Sequence, residues 1–256
     1  MNRSGSIQPV IIAMCGKGGV GKTSISALLT RILAENPDKK VLAIDADPSV
    51  GLASALGFNV RKTVDDIRNS LIDDIAGGRG GDKGEVVSRL DYEMFGALEE
   101  KGNIAFLAIG RPETEGCYCQ VNDILKDIIS EIAGNFDYVV IDGEAGVEQI
   151  NRRVMERVTH LVLVSDESKK GLTVAGTLLS VAEHAVNYDM AGLILNRTGN
   201  GGGAVVVPEG IDLLGALPED DTIRIADIEG TSMLEVSESP ALRTLRACLP
   251  NMRLPL

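Results

Sequence analysis

Cys15-Gly16-Lys17-Gly18-Gly19-Val20-Gly21-Lys22-Thr23 follows the apolar run 10–14 and precedes a helical apolar stripe carried by Ile25, Leu28, Leu29, Ile32 and Leu33. From Gly16 to Thr23 the segment fits G-x-x-x-x-G-K-[ST] between a strand and a helix, the context in which that spacing has a mechanism. The glycines let successive backbone N–H groups turn inward on an anion. The following helix presents its positive end to the same place. Gly16, Lys17, Gly18, Gly19, Val20, Gly21, Lys22, Thr23 and the next residue, Ser24, therefore read as a cradle for the phosphates of a nucleoside triphosphate, with ATP the expected ligand. Lys22 is placed to reach the β and γ phosphates, and Thr23 to hold Mg²⁺ through its hydroxyl.

Further apolar runs lie at 41–44, 104–109, 138–141, 161–164, 193–195 and 213–217. Helical patterns at 23–35, 121–133 and 170–186 fall between them. Strands that are apolar throughout, alternating with amphipathic helices, predict a doubly wound, mostly parallel sheet flanked by helices. The loops after the strands should then share one ligand-binding edge. The charged stretch 65–101 reads as helices outside the sheet, and the glycine-rich stretches 77–84 and 199–203 as surface loops. No repeat or boundary divides the chain, so residues 1–256 read as a single α/β domain.

Hydrophobic residues make up 44% of the 256 positions, enough for a sizeable core. Aromatics are only 3%, which favours helix-covered parallel strands over a β-sandwich. A net charge of −12 opposes a non-specific nucleic-acid surface. The run 10–14 is too short for a secretory or membrane segment, so a cytoplasmic protein with neither nucleic-acid nor membrane partners is expected. In a reducing compartment, Cys15, Cys117, Cys119 and Cys248 are not expected to form disulfides. The clustered pair then points to metal binding. Cys15, Cys248, His160 and His184 read as structural residues.

The second lysine of the loop, Lys17, resembles the deviant Walker A lysine of the MinD/ParA/nitrogenase-iron-protein class of ATPases, and later motifs fall in the same order. That resemblance implies a homodimer closed face to face around two ATP molecules, with Lys17 crossing to the partner's nucleotide. It also implies that Asp47, in Asp45-Ala46-Asp47-Pro48, orients the attacking water, and that Asp45 supports Mg²⁺ or the loop. A pair of loop aspartates capping the next helix would carry the same sequence. Tyr138-Val139-Val140-Ile141-Asp142 has the form of a Walker B strand, with Asp142 holding Mg²⁺ through water. Gly143 to Gly146 would then be the second switch. Asn196 falls where the class reads the adenine edge, with Arg197 beside it. Leu217, Pro218 and Glu219 fall where backbone wraps the base.

Cys117-Tyr118-Cys119 offers two thiolates one residue apart. They cannot form a sound disulfide with each other. Two sulfurs are half of a closed four-ligand site, and a two-fold dimer supplies the other half. Two buried cysteines used as small apolar residues would look the same in sequence. The segment from Gly116 to Gln120 resembles that of the CooC-type ATPases that deliver nickel to carbon monoxide dehydrogenase, and of their AcsF-type relatives serving acetyl-CoA synthase. The resemblance implies Ni²⁺ or Zn²⁺ at Cys117 and Cys119, ATP/ADP and Mg²⁺ at the loop, and a client nickel enzyme. Gln149 stands where those proteins often carry histidine, and Gly143 replaces a bulkier residue, which leaves the client open. A MinD/ParA-like positioning switch is a second reading. A third is an electron-transfer ATPase like the nitrogenase iron protein, although 142–149 lacks the cysteine that class carries after its Walker B strand.

Overall fold

A computed structural model of the chain describes residues 8–78, 83–111, 119–143, 146–199 and 205–254, with backbone only at 83, 119 and 120. The elements run β1 (Val10–Gly16), α1 (Lys22–Ala34), β2 (Val41–Asp45), α2 (Gly51–Leu56), α3 (Val64–Ala76) and α4 (Lys83–Ala97). They continue β3 (Glu99–Lys101), β4 (Ile104–Ala108), α5 (Cys119–Ala133), β5 (Tyr138–Asp142), α6 (Glu148–Arg153) and β6 (His160–Ser165). The last are α7 (Lys169–Ala185), β7 (Met190–Thr198), β8 (Asp212–Pro218), α8 (Asp221–Glu229) and α9 (Pro240–Cys248). The described strands form one sheet in the order β3-β4-β2-β5-β1-β6-β7-β8. Every pairing is parallel except that of β3 with β4.

Alternation along each strand decides which helices cover which face. Ala13 and Cys15 of β1 and Leu42 and Ile44 of β2 join residues of α3 to α7 on one face. Ile12, Met14, Val41 and Ala43 point to the other, where α1, α2 and α9 supply Leu28, Leu29, Leu52, Leu242 and Leu245. Each fully buried Leu or Ile stabilises the fold by about 1.5–3 kcal/mol relative to its exposed state. The doubly wound sheet follows from that two-sided burial, as the apolar runs predict.

One expectation needs correction. The stretch 65–101 does supply α3 and α4, but its end, Glu99–Lys101, pairs antiparallel with β4 as the sheet's edge. Charged side chains suit an edge strand, because one side of its ladder faces solvent. Among the described residues, four helices begin where their sequence supplies a cap. Thr63 and Asp66 form a reciprocal capping box for α3, and Ser168, Asp220 and Ser239 cap α7, α8 and α9.

The functional edge follows from register. β1 lies between β5 and β6, with Met14 opposite Asp142 and Gly16 opposite Val164. Asp142 also lies opposite Asp45 of β2. Residues 128 positions apart in the chain, Met14 and Asp142, are thus brought to the same end of the sheet's centre.

Candidate nucleotide site

The loop between β1 and α1 turns on glycines that have a local reason. Gly19 and Gly21 take φ of 82° and 91°, the left-handed region that costs other residues strain. A Cβ on Gly21 would also run into the Asn196 side chain, and one on Gly16 into the Val164 carbonyl. Lys22 begins α1, is 8% exposed, and donates from Nζ to the Lys17 carbonyl at 3.4 Å. Its ammonium is therefore held back over the loop, where phosphates would lie.

Thr23 Oγ1 donates to Asp142 Oδ2 at 2.7 Å, and Ser26 Oγ donates to Asp142 Oδ1 at 3.0 Å. Burial pushes the Asp142 carboxyl up to about 6, against the pull of those two hydroxyls and of Lys22. Ser26 belongs to none of the motifs the sequence displays. It is a fully buried polar residue three positions after Thr23, one turn along the same helix face. That spacing is the clue that could have found it. Ser26→Ala should weaken Mg²⁺ activation of hydrolysis by roughly ten- to a hundredfold, the loss of one hydrogen bond to a charged group. A Mg²⁺ titration of the rate measures this, and an unchanged half-saturation point would count against the role.

Asp45 is fully buried, and burial followed by the nearby Asp142 charge pushes its carboxyl up to about 7. Its oxygens accept from Leu52 N at 2.7 Å and Asp47 N at 3.1 Å. It fastens the start of α2 and the loop that carries Asp47. Asp47 in turn accepts from Ser49 N at 2.9 Å and Ser49 Oγ at 2.7 Å. Val50, next in that loop, is a β-branched residue at φ 53°, a strained conformation of the kind found at functional loops. Two adjacent buried carboxyls, one of them bonded to the Thr23 and Ser26 hydroxyls, are a hard-oxygen set that suits Mg²⁺, whose charge would relieve their mutual repulsion.

The residues expected to hold the base converge: Asn196, Arg197, Leu217, Pro218 and Glu219 line one cleft of about 250 Å³, joined there by Ser24 from the start of α1 and closed on the far side by α8. The register of β7 on β8 slips between Leu195 and Thr198, and Arg197 takes φ 56°. Such a bulge re-aims side chains beside a site. Asn196 Nδ2 donates to the Val20 carbonyl at 2.8 Å and Arg197 Nη1 to the Gly19 carbonyl at 3.1 Å.

Gly143 also has a local reason: a Cβ there would lie 2.6 Å from the Met14 carbonyl. Glu144 and Ala145 of the expected second switch lie outside the described residues, as does Cys117. Cys119 opens α5. Cys15 is buried, its thiol pushed up to about 12 by burial, and Cys248 is buried with Sγ 3.0 Å from the Thr244 carbonyl. His160 is held between Thr159 Oγ1 at 2.7 Å and the Met252 carbonyl at 2.8 Å. Among the described residues, no cluster of three or more His, Cys, Asp or Glu could hold a metal ion. No described helix is long and apolar enough to cross a membrane.

A glycine loop on the central strand, a buried lysine, and a hydroxyl–carboxylate pair at the sheet's C-terminal edge define a P-loop ATPase. Residues 11–233 match the CobQ/CobB/MinD/ParA nucleotide binding domain, and the chain belongs to that family. It is 35% identical over 251 residues to an uncharacterized ATP-binding protein of Methanocaldococcus jannaschii, covering 90% of this chain and 92% of that one. It is 29% identical to the carbon monoxide dehydrogenase accessory protein CooC of Rhodospirillum rubrum, with 91% of each covered. The fold is also that of the septum site-determining protein MinD of Pyrococcus horikoshii complexed with Mg-ADP. The TM-score is 0.65 at 23% identity, with 95% of this chain and 96% of that one covered.

Proposed function

We propose that the chain is an ATP-gated, homodimeric metallochaperone that binds Ni²⁺ or Zn²⁺ through Cys117 and Cys119 and serves maturation of a nickel enzyme, carbon monoxide dehydrogenase or acetyl-CoA synthase. The cysteine pair carries this reading. Two thiolates per chain are half of a closed soft-metal site, and a second copy would complete it. The likeness to an accessory protein of carbon monoxide dehydrogenase supports the client class.

In this reading Lys22 and the loop amides bind the β and γ phosphates, and Asn196, Arg197 and the backbone of Leu217, Pro218 and Glu219 receive the adenine. Thr23 and Asp142 would hold Mg²⁺, with Asp45 behind them, and that ion supplies charge neutralisation on the phosphates. Asp47 orients water for in-line attack on the γ phosphorus, and the bond to the β–γ bridging oxygen breaks. Lys17 of the opposing copy stabilises the charge that moves onto the departing oxygen. Nucleotide contacts that differ between the open and closed dimer bring the cysteine pairs together or release them.

A MinD/ParA-like switch at a membrane would call for a free amphipathic segment, and among the described residues α9 is one amphipathic candidate. Its Leu242, Leu245 and Cys248, with Leu249 and Met252, are instead buried in the protein's own core. The proposal is tested by measuring bound metal and molecular mass together, with and without ATP.

A further inference from the structure

We propose that Asn196 and Arg197 act together as a lock on the orientation of two peptide groups in the phosphate loop, presetting its amides for phosphate before any nucleotide arrives. In a regular strand these consecutive side chains would point to opposite faces of the sheet. The slip between Leu195 and Thr198, with Arg197 at φ 56°, sends both to the loop. The ladder resumes at once: Thr198 lies opposite Pro218, and its Oγ1 donates to the Leu217 carbonyl at 3.0 Å.

The two donors reach successive carbonyls. Arg197 Nη1 takes that of Gly19 at 3.1 Å, and Asn196 Nδ2 that of Val20 at 2.8 Å. In a trans peptide the C=O and the next N–H point in opposite directions. Fixing the Gly19 carbonyl therefore fixes the Val20 N–H, and fixing the Val20 carbonyl fixes the Gly21 N–H. Asn196 is 8% exposed and crowds the place a Gly21 side chain would occupy, so this contact is built into the packing. A flexible glycine loop would otherwise lose entropy when its amides converge on an anion, and preorganisation removes that cost. In this role both are positioning residues, beyond the contact with the base that the proposed function gives them.

The lock rests on the loop being the phosphate site and is independent of the metal reading. It is tested with a ligand that has phosphates and no base: calorimetric titration of the full chain with Mg²⁺-tripolyphosphate and, separately, with Mg²⁺-ATP. Asn196→Ala, which leaves the charge unchanged, and Arg197→Ala, at an exposed position, should each weaken tripolyphosphate by roughly three- to tenfold. ATP should weaken at least as much, with melting temperatures close to that of the parent. If the variants lose ATP affinity while tripolyphosphate binds as before, the two residues serve the base alone and the lock is overturned. It is equally overturned if neither ligand is affected, or if the parent binds ATP but not tripolyphosphate. A parent that binds neither ligand would instead overturn the phosphate-site reading, and the lock with it.

Discussion

Lys17→Ala is expected to lower the ATP hydrolysis rate by about 10³-fold while leaving ATP affinity within a few-fold of the parent. Removal of a charge that acts on the transferring phosphoryl group from a second subunit has losses of that order. The local binding machinery does not need the Lys17 side chain: Lys22 reaches the Lys17 backbone carbonyl, and the loop amides are fixed by Asn196 and Arg197. A role in trans has a signature that a role in cis lacks. Mixing Lys17→Ala chains with Asp47→Ala chains places an intact Asp47 and an opposing intact Lys17 around one of the two nucleotides in each mixed dimer. Activity should reappear on mixing, although each variant alone is inactive. A mixture no more active than its components would remove the trans assignment.

Replacing Cys117 and Cys119 together by Ser is expected to reduce bound Ni²⁺ or Zn²⁺ to background and to leave ATP binding unchanged. A hydroxyl is a poor substitute for a thiolate on a soft metal, and losing all four sulfurs of a shared site leaves no ligand set. The other cysteines cannot compensate. Cys15 is packed under the sheet with its thiol pushed up to about 12, and Cys248 is buried between α9 and β8. Neither sulfur is open to a metal ion arriving from solvent, since Cys15 and Cys248 are both buried. Metal content by elemental analysis measures the effect. Unchanged stoichiometry in the double variant would contradict the metal-carrying role.

Much of the fold could be read from the chain because the strands are buried on both faces. Runs such as Val139-Val140-Ile141 and Leu161-Val162-Leu163 are apolar at every position, which a half-exposed strand would not be. Glu99-Glu100-Lys101 escaped for the opposite reason. Its pairing with Ile104–Phe106 is decided by contact with a neighbouring strand, and its side chains look like those of any charged turn. Within the site, residues named by a local motif fell together: the loop, Asp142 beside Thr23, and the cleft formed by Asn196 and Leu217 to Glu219.

Interactions that depend on tertiary geometry were not legible. Ser26 reads as one polar interruption of an apolar helix until the β5–α1 packing sets it on Asp142. The bulge at Asn196 and Arg197 has no glycine to announce it, because the strain sits on an arginine. Asp45 was expected to serve Mg²⁺ or the loop, and its oxygens are engaged by the amides of Asp47 and Leu52. A carboxylate can do both only if one lone pair remains for the ion. Cys117 falls outside the described residues, so the metal reading stands on sequence chemistry and on the position of Cys119 at the head of α5.

The most direct measurement is the native mass of the purified protein together with its metal content, taken with ATP and without it. An ATP-gated shared site predicts that ATP shifts the mass from one chain to two, with about one Ni²⁺ or Zn²⁺ per pair of chains. That metal should disappear in the Cys117→Ser, Cys119→Ser variant. A metal content independent of both ATP and the cysteines, or a chain that hydrolyses ATP at full rate as a monomer, would contradict it.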